Sequence, residues 1–456
     1  MIEDTNHNLF AEFDEVSAKQ WKQNIQFELK GKDYSDNLVW ESPEGIHIKP
    51  FYNEEDLQKI ILPKLKYPKH WRIQKTITIQ SKFNADIILA KIEEGFESFR
   101  IILNGDNEAL SIEELNKIPS KTPIFFEVQS SSKLTLNEKL GNFSVQFDPI
   151  AHLVKTGNWH QSLNSDFNNF KNIFKIFGAL SVNIETYQNA GANLVQQLAY
   201  AMAHTKEYCD RIMEEKSPGV INFRVALGSN YFFEIAKLRA LRWLWDSLAT
   251  LYNWANCECI IHVVPSKRNK TIYDYNTNML RTTTECMSGV LGGADTIENL
   301  PYDKLYHYEN DFGDRLAKNQ LLILKEESYF DAVSNATDGT YYIEQLTHQL
   351  ATKALALFKE IEKSGGFLKQ LKEGTIQKKI KEVANEQQAE FNDKKILSVG
   401  SNFQPNPKDR MVDTLDFFPF RTKEKRKTLI EPIVEKRLSE KIEKERLQQE
   451  KNNETH

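Results

Sequence analysis

From about residue 73 to residue 396, short apolar runs alternate with longer segments whose apolar residues recur every three or four positions. The short runs, at 76–79, 87–90, 99–103, 124–128, 180–183, 223–227 and 260–264, read as strands. Three longer segments read as helices. In 192–214, Leu194, Leu198, Ala201, Thr205, Tyr208 and Ile212 form one apolar stripe. Segment 230–252, which Ser229 can cap, carries a polar stripe of Arg239, Arg242, Asp246 and Thr250. Segment 341–363 presents Leu346, Leu350, Ala354, Leu357 and Ile361, and Gly365-Gly366 supplies a left-handed stop. Strand–helix alternation of this length predicts an α/β fold with a parallel sheet, either a closed (β/α)8 TIM barrel or a doubly wound sheet. The absence of a Gly-rich phosphate turn favours the barrel.

The two ends of the chain depart from this alternation. Residues 1–70 scatter apolar anchors (Phe10, Phe13, Trp21, Phe27, Leu29, Leu38, Trp40) among polar stretches, then run Ser42-Pro-Glu-Gly-Ile-His-Ile-Lys-Pro-Phe-Tyr52. Gly45 and the two prolines argue for turns there. Such a segment is either a loop packed on its own domain or an N-terminal arm laid over a partner, spaced aromatics being frequent interface anchors. Residues 421–456 set Ile430, Ile433, Val434, Leu438, Ile442 and Leu447 within dense Lys and Glu, the pattern of a charged surface helix. The organisation expected is therefore an arm (1–70), a barrel (71–400), and a linker with a charged helical tail (401–456).

Composition narrows the function classes. The chain has 456 residues, 40% hydrophobic and 11% aromatic, which supports a large core and excludes global disorder. A net charge of −5, with glutamates interleaved among the tail lysines, gives no basic surface for nucleic acid. No apolar run reaches the ~18–20 residues that span a bilayer. The opening residues resemble neither a signal nor a transit peptide. A cytoplasmic protein is expected, and Cys209, Cys257, Cys259 and Cys286 read as reduced thiols. Cys257-Glu-Cys259 lacks the spacing of a metal site.

The chemistry that sequence can expose is missing. There is no GxGxxG, GxxxxGK[ST], HExxH or GxSxG, and the ten histidines are scattered singly. Single histidines such as His204 on a helix and His262 in a strand are expected to be packed or solvated. Composition and spacing alone stop at a barrel of unknown function.

Three blocks go further: residues 229–245 (SNYFFEIAKLRALRWLW), residues 278–293 (NMLRTTTECMSGVLGG), and the pair 315–328 (RLAKNQLLILKEES) with 338–347 (DGTYYIEQLT). In this order and spacing the chain resembles the barrel domain of the adenosylcobalamin-dependent acyl-CoA mutases, above all the methylmalonyl-CoA mutase family. The Ser42–Tyr52 run is similar to the family's entry to the barrel. The resemblance implies a barrel that threads the pantetheine of a CoA ester along its axis. A cobalamin domain would sit on the open end, and the reaction would interconvert methylmalonyl-CoA and succinyl-CoA by radical carbon migration, the radical being the cofactor's own contribution.

Two departures from the family pattern shape the expected role. Where catalytic members carry His-Met-Gln-Glu-Ala-Gly-Ala, this chain has Thr186-Tyr187-Gln188-Asn189-Ala190-Gly191-Ala192. Thr186 replaces the general acid, and a hydroxyl cannot donate a proton near neutral pH as imidazole does. Losing such a group costs about 10²–10⁴ in rate. Thr186, Tyr187 and Gln188 are thus a vestigial substrate pocket, with no catalytic, cofactor or metal residue expected. Secondly, no DxHxxG cobalt-ligand motif occurs, and the segment 437–446 resembles the linker that precedes the cobalamin domain. A softer difference is Trp71-Arg-Ile-Gln-Lys-Thr-Ile-Thr-Ile79, where catalytic subunits carry a Tyr- and Arg-rich run.

The resemblance therefore points to the small, non-catalytic (beta) subunit of a heterodimeric mutase, stabilising a large subunit that holds adenosylcobalamin. The alternatives are a substrate-barrel subunit of a split mutase, with its cobalamin domain in trans, and a repurposed regulatory or chaperone-like binding protein.

Overall fold

The fold was analysed in a computed structural model, which describes residues 11–454 apart from 15, 62–63, 80–82, 104–111, 129–142 and 421–425. Eight parallel strands make one sheet: β1 (Arg72–Ile79), β2 (Ser98–Leu103), β3 (Ile124–Val128), β4 (Phe143–Gln146), β5 (Ala179–Asn183), β6 (Val220–Leu227), β7 (Glu258–Pro265) and β8 (Thr296–Ile297). Their order is β4-β3-β2-β1-β8-β7-β6-β5. Helices lie between the other successive strands, residues 129–142 between β3 and β4 being outside the described ones, so this is an α/β barrel of the TIM type, nearly closed. Among the described residues no ladder joins β4 to β5. Asp148 stitches that seam: one carboxylate oxygen caps helix Pro149–Thr156 by accepting from the Ala151 amide at 2.8 Å. The other oxygen accepts from the Asn183 amide at the end of β5 at 2.7 Å.

The period of two along each strand sorts its side chains. Ile73, Phe99, Ile101, Ile124, Phe126, Ile221, Phe223, Val225, Ile261, Val263 and Ile297 point outward into the helix layer and are buried. The alternate positions, mostly polar, point to the axis: Gln74, Thr76, Ser98, Arg100, Glu127, Gln146, Ser181, Asn222, Arg224, His262 and Thr296. The hydrophobic core is therefore a shell around the barrel, and the axis has a different composition.

The helices α1 (Glu185–Ala190), α2 (Leu194–Ile212), α3 (Tyr231–Leu251), α4 (Thr277–Leu291) and α5 (Tyr341–Lys363) supply that shell. All six stripe residues expected of α2 are buried. Gly365 (φ 103°) and Gly366 (φ 89°) end α5 in the left-handed region, as the sequence pattern requires.

Three local readings change. The run 87–90 is not a strand but the middle of helix Ala85–Glu93, capped by Asn84, whose side chain accepts from the Asp86 amide at 2.8 Å. A four-residue apolar run cannot by itself be told from a helix face, and the cap decides. The N-cap of α3 is Asn230 and not Ser229. The polar stripe of α3 is half buried, with Arg239 and Arg242 1% and 5% exposed. Arg239 pairs with Glu344 at 2.6 Å on α5, and Arg242 with Asp295 at 2.5 Å.

The arm docks through its middle. A hairpin pairs Trp40–Glu41 with His47–Ile48, and Ile46 is fully buried. Pro43 O accepts from Asn193 Nδ2 at 3.4 Å. Helix Ala18–Glu28, by contrast, buries no residue, and Phe27 is 87% exposed. At the other end, residues 426–439 form a strap across the C-terminal rim of the barrel. Its Ile433, Lys436 and Leu438 amides donate to the carbonyls of Val154 (2.8 Å), Asn189 (3.0 Å) and Arg268 (3.0 Å). The tail is helical, as α6 (Glu440–Glu454), but one face is inside: Glu443 and Leu447 are buried, and Glu443 pairs with Arg437 at 2.6 Å. No described helix is long and apolar enough to cross a membrane.

Candidate functional site at the barrel mouth

The carboxyl ends of barrel strands converge where such folds place their active sites, and here the converging side chains are charged. Arg224, near the end of β6, lies between two carboxylates. Its Nη2 donates to Glu298 Oε2 at 2.7 Å, and its Nε pairs with Glu185 Oε1. Glu298, just past β8, also accepts from the Thr76 amide at 3.0 Å and the Thr76 hydroxyl at 2.7 Å. On the facing wall Arg100 Nε donates to Glu127 at 2.8 Å.

A second layer lies deeper. Arg224 Nη1 donates to Gln74 Oε1 at 3.3 Å, and Gln74 Nε2 to Ser98 Oγ at 3.3 Å. His262 Nδ1 meets Thr296 Oγ1 at 2.6 Å, and its Nε2 meets Asn222 Oδ1 at 3.2 Å. Phe125 sets its ring edge-on to His262 with centroids 4.5 Å apart. Side chains from β1, β2, β3, β6, β7 and the end of β8 thus close the axis as a cross-linked belt, in which Gln74, Ser98, Asn222, His262 and Thr296 are each no more than 2% exposed.

The electrostatics follow from this packing. Burial raises the Glu185 and Glu298 carboxyls, but Arg224 and Arg100 outweigh it and hold both below the usual carboxylate range. Burial opposes the charge of Arg224, and Glu185 and Glu298 more than restore it. Burial, then Arg224 and Arg100, push His262 down to about 3, so its imidazole is neutral. At the rim, burial and the neighbouring His160 push His152 down to about 4; the two rings stack with centroids 3.6 Å apart. Neither His152 nor His262 is therefore poised to exchange a proton near pH 7.

The Arg224–Glu185 pair divides the mouth into two cavities. One, of about 380 Å³, is lined by Thr186, Arg100, His152, Lys155 and Glu435 of the strap. The other, of about 280 Å³, is lined by Thr76, Ile102, Glu298 and Leu300. Thr186 is thus the one member of the sequence-read trio that faces this space. Tyr187 turns into the helix layer, where its hydroxyl meets His204 Nδ1 at 3.2 Å and the ring is 1% exposed. Gln188 accepts from Gln197 and packs under Gly228, where an added Cβ would lie 2.7 Å from Gln188 Nε2. Gly191 (φ 100°) lets the chain turn between α1 and α2, and a Cβ there would meet Ala384 and Arg268 at 2.7 Å. The scaffold of the Thr186 turn is therefore held from several sides. Sequence reasoning passed over Arg100, Arg224 and Glu298, whereas His262, expected to be packed or solvated, is packed. Their signal was the polar residue at every second position of otherwise apolar strands.

The family model described as Methylmalonyl-CoA mutase matches residues 124–454. The chain belongs to the methylmalonyl-CoA mutase family. Among its relatives is the methylmalonyl-CoA mutase small subunit of Porphyromonas gingivalis, 30% identical over 87% of this chain and 71% of that protein. The small subunit from Streptomyces virginiae is 28% identical over 83% of this chain and 69% of its own length. The mitochondrial mutase of Bos taurus is 28% identical over 87% of this chain, but the match spans only 62% of that longer protein.

The family's cofactor can be set against the residues present. A corrin seated on the rim would need an imidazole aimed outward if this chain were to supply an axial ligand. His152 and His160 stack on each other, His204 donates or accepts at Asp148 (2.9 Å), and His262 lies in the belt. Among the described residues, none of the mouth histidines is fully exposed and no acid, Cys and His cluster is arranged for a metal. The donor set does not fit.

Proposed function

We propose that this chain is the small subunit of a heterodimeric, adenosylcobalamin-dependent methylmalonyl-CoA mutase and does not itself catalyse the isomerisation. Its barrel and arm stabilise a large subunit, which holds the cofactor and interconverts methylmalonyl-CoA and succinyl-CoA in the cytoplasm.

The observation that carries this reading is the belt across the axis. A pantetheine threaded through the barrel would have to displace Arg224 from Glu185 and Glu298, and His262 from Asn222 and Thr296. Breaking one buried ion pair by removing a partner already costs about 3–5 kcal/mol. Thr186 adds to this: it stands in the cavity beside the belt, and His152 in the same cavity is pushed down to about 4. The names of the relatives from P. gingivalis and S. virginiae support the small-subunit assignment. The arm supports a partner-wrapping role for residues 1–70, because an 11-residue helix that buries none of its own residues is marginal in water. Residues 71–400 would be the barrel and 401–456 the linker and helix that brace its rim.

The test is reconstitution. Co-expressed with a full-length large subunit, the chain should elute as a one-to-one heterodimer. Alone, it should show no turnover of methylmalonyl-CoA with added adenosylcobalamin and retain no CoA ester in equilibrium dialysis. Thr186→His should leave it inactive, because the belt remains. Turnover by the isolated chain or the variant would overturn the non-catalytic assignment; failure to associate would overturn the partner.

A further inference from the structure

A third cavity, of about 290 Å³, opens on the C-terminal rim outside the barrel, between the start of α4 and the segment that follows helix Thr375–Asn392. Its walls are largely aliphatic: Leu280, Phe391, Ile396, Leu397, Val399 and Leu438. Three of these also stand at its lip, with Leu280 72% exposed, Leu397 54% and Val399 46%. Single exposed leucines need no explanation, but three around one apolar hollow form a patch.

The charged groups of the hollow are two cations, Arg268 and Arg281, among the neutral polar side chains Ser229, Asn269, Thr277, Ser398 and Ser439. Arg281 donates to Val399 O at 2.7 Å and Asn278 Oδ1 at 2.8 Å. Arg268 donates to Gln387 Oε1 at 2.9 Å and Lys436 O at 2.8 Å. Among the described residues, every hydrogen-bond partner of these two guanidiniums is neutral, unlike those of Arg100, Arg224, Arg239, Arg242 and Arg437. Burial, with Glu440 compensating only in part, pushes Arg268 down to about 10. Lys394 and Lys395, both exposed, follow the exposed Asp393 and precede the wall residue Ile396. At Arg281 burial likewise outweighs Glu285, Asp274 and Glu443, and an apolar hollow with such a cationic wall fits an aliphatic side chain flanked by carboxylates. A second copy of this chain fits badly, since a two-fold contact centred here would set this rim against itself.

Position supports a partner chain over a small solute. Ser229, which lines the cavity, immediately precedes α3, whose first turn carries the half-exposed Phe232. Phe233 beside it packs on the arm residue Trp40, ring centroids 6.0 Å apart, and Trp40 is itself 50% exposed. The hollow and the exposed aromatics of the arm therefore lie along one continuous stretch of rim.

We propose that this hollow is an anchor site for the large subunit, receiving an aliphatic side chain with an adjacent Asp or Glu. The inference rests on the heterodimer reading above. The experiment measures binding of the full chain to a full-length large subunit, for Leu280→Asp, Leu397→Asp and the control Leu251→Asp, an 80% exposed leucine at the far end of α3. The two pocket variants should weaken association roughly 10- to 100-fold with unchanged melting temperature, and the control should not. Arg281→Glu should weaken it and steepen no salt dependence, whereas the parent complex should loosen as salt rises. If both pocket variants bind like the parent, or if they instead dissolve a homodimer of the isolated chain, the inference is overturned. A parent chain that fails to bind at all refutes the heterodimer reading itself, so the two failures are distinguishable.

Discussion

Replacing Arg224 by Met tests whether the charged belt holds the barrel closed. The substitution keeps the volume and flexibility of the side chain and removes its charge, leaving Glu185 and Glu298 facing each other across the axis. At an effective dielectric of about 20, unit charges about 4 Å apart attract by about 4 kcal/mol. Losing two such attractions sets a gross loss of about 8 kcal/mol. The orphaned carboxylates limit it by taking up protons, so the net cost at pH 7 is about 3–5 kcal/mol. Unfolding entropy of about 2.1 cal/mol/K per residue makes this a fall of about 3–5 °C in melting temperature for a chain of this length.

The pH dependence has a definite sign. In the parent both carboxyls titrate below their ordinary value. Their contribution is therefore present above the unfolded value of about 4.3 and lost as pH falls through the folded one. In the variant the largest opposing charge is gone, leaving Arg100 and weaker partners against burial, so both carboxyls rise relative to the parent. The cost relative to the parent then grows as pH rises through the variant's higher folded value. Parent and variant should differ most at pH 7 and converge towards pH 4. Thermal melts followed by circular dichroism between those limits measure this. A second change, Glu298→Gln, should recover part of the loss at pH 7, because it removes one of the unpaired charges. Equal melting temperatures at pH 7, or a gap that does not move with pH, would refute the claim that the belt is an electrostatic cross-link.

Two further outcomes follow from the same geometry. His262 should remain neutral through the physiological range, so its ring nitrogens, observed by ¹⁵N NMR, should show no titration between pH 5 and 8; a midpoint near 6.5 would mean that the belt opens to water. Gly191→Ala should cost about 2–3 kcal/mol in urea denaturation, combining a left-handed backbone with a Cβ 2.7 Å from Arg268 and Ala384; a loss below about 0.5 kcal/mol would show that the Thr186 turn is freer than its packing implies.

Much of the architecture was readable from periodicity. The stripe of α2, the limits of α5 and six of the strands are properties of local residue order, and burial of one face is enough to define them. Strands β4 and β8 escaped notice: β8 has two residues, and β4 mixes Ser144 and Gln146 into a four-residue run. The 87–90 run went the other way because its N-cap at Asn84 outweighed its β-branched content. Arg239 and Arg242 read only as part of a polar stripe because sequence shows charge and not the acid that meets it. Glu344 and Asp295, which bury them, lie about 105 and 53 positions away.

For the functional site the division is sharper. The order of residues in the sequence alone is enough to place Thr186 directly before Tyr187-Gln188-Asn189 and the Ala-Gly-Ala turn. It also determined that the strands alternate polar with apolar positions. Only the tertiary structure decided where the polar set goes. Closing eight strands into a barrel brings Gln74, Arg100, Asn222, Arg224, His262 and Glu298, drawn from more than two hundred residues of chain, within hydrogen-bonding reach on one axis. Each is unremarkable in its own strand. Packed together away from water they must satisfy one another, and in doing so they fill the axis of the barrel.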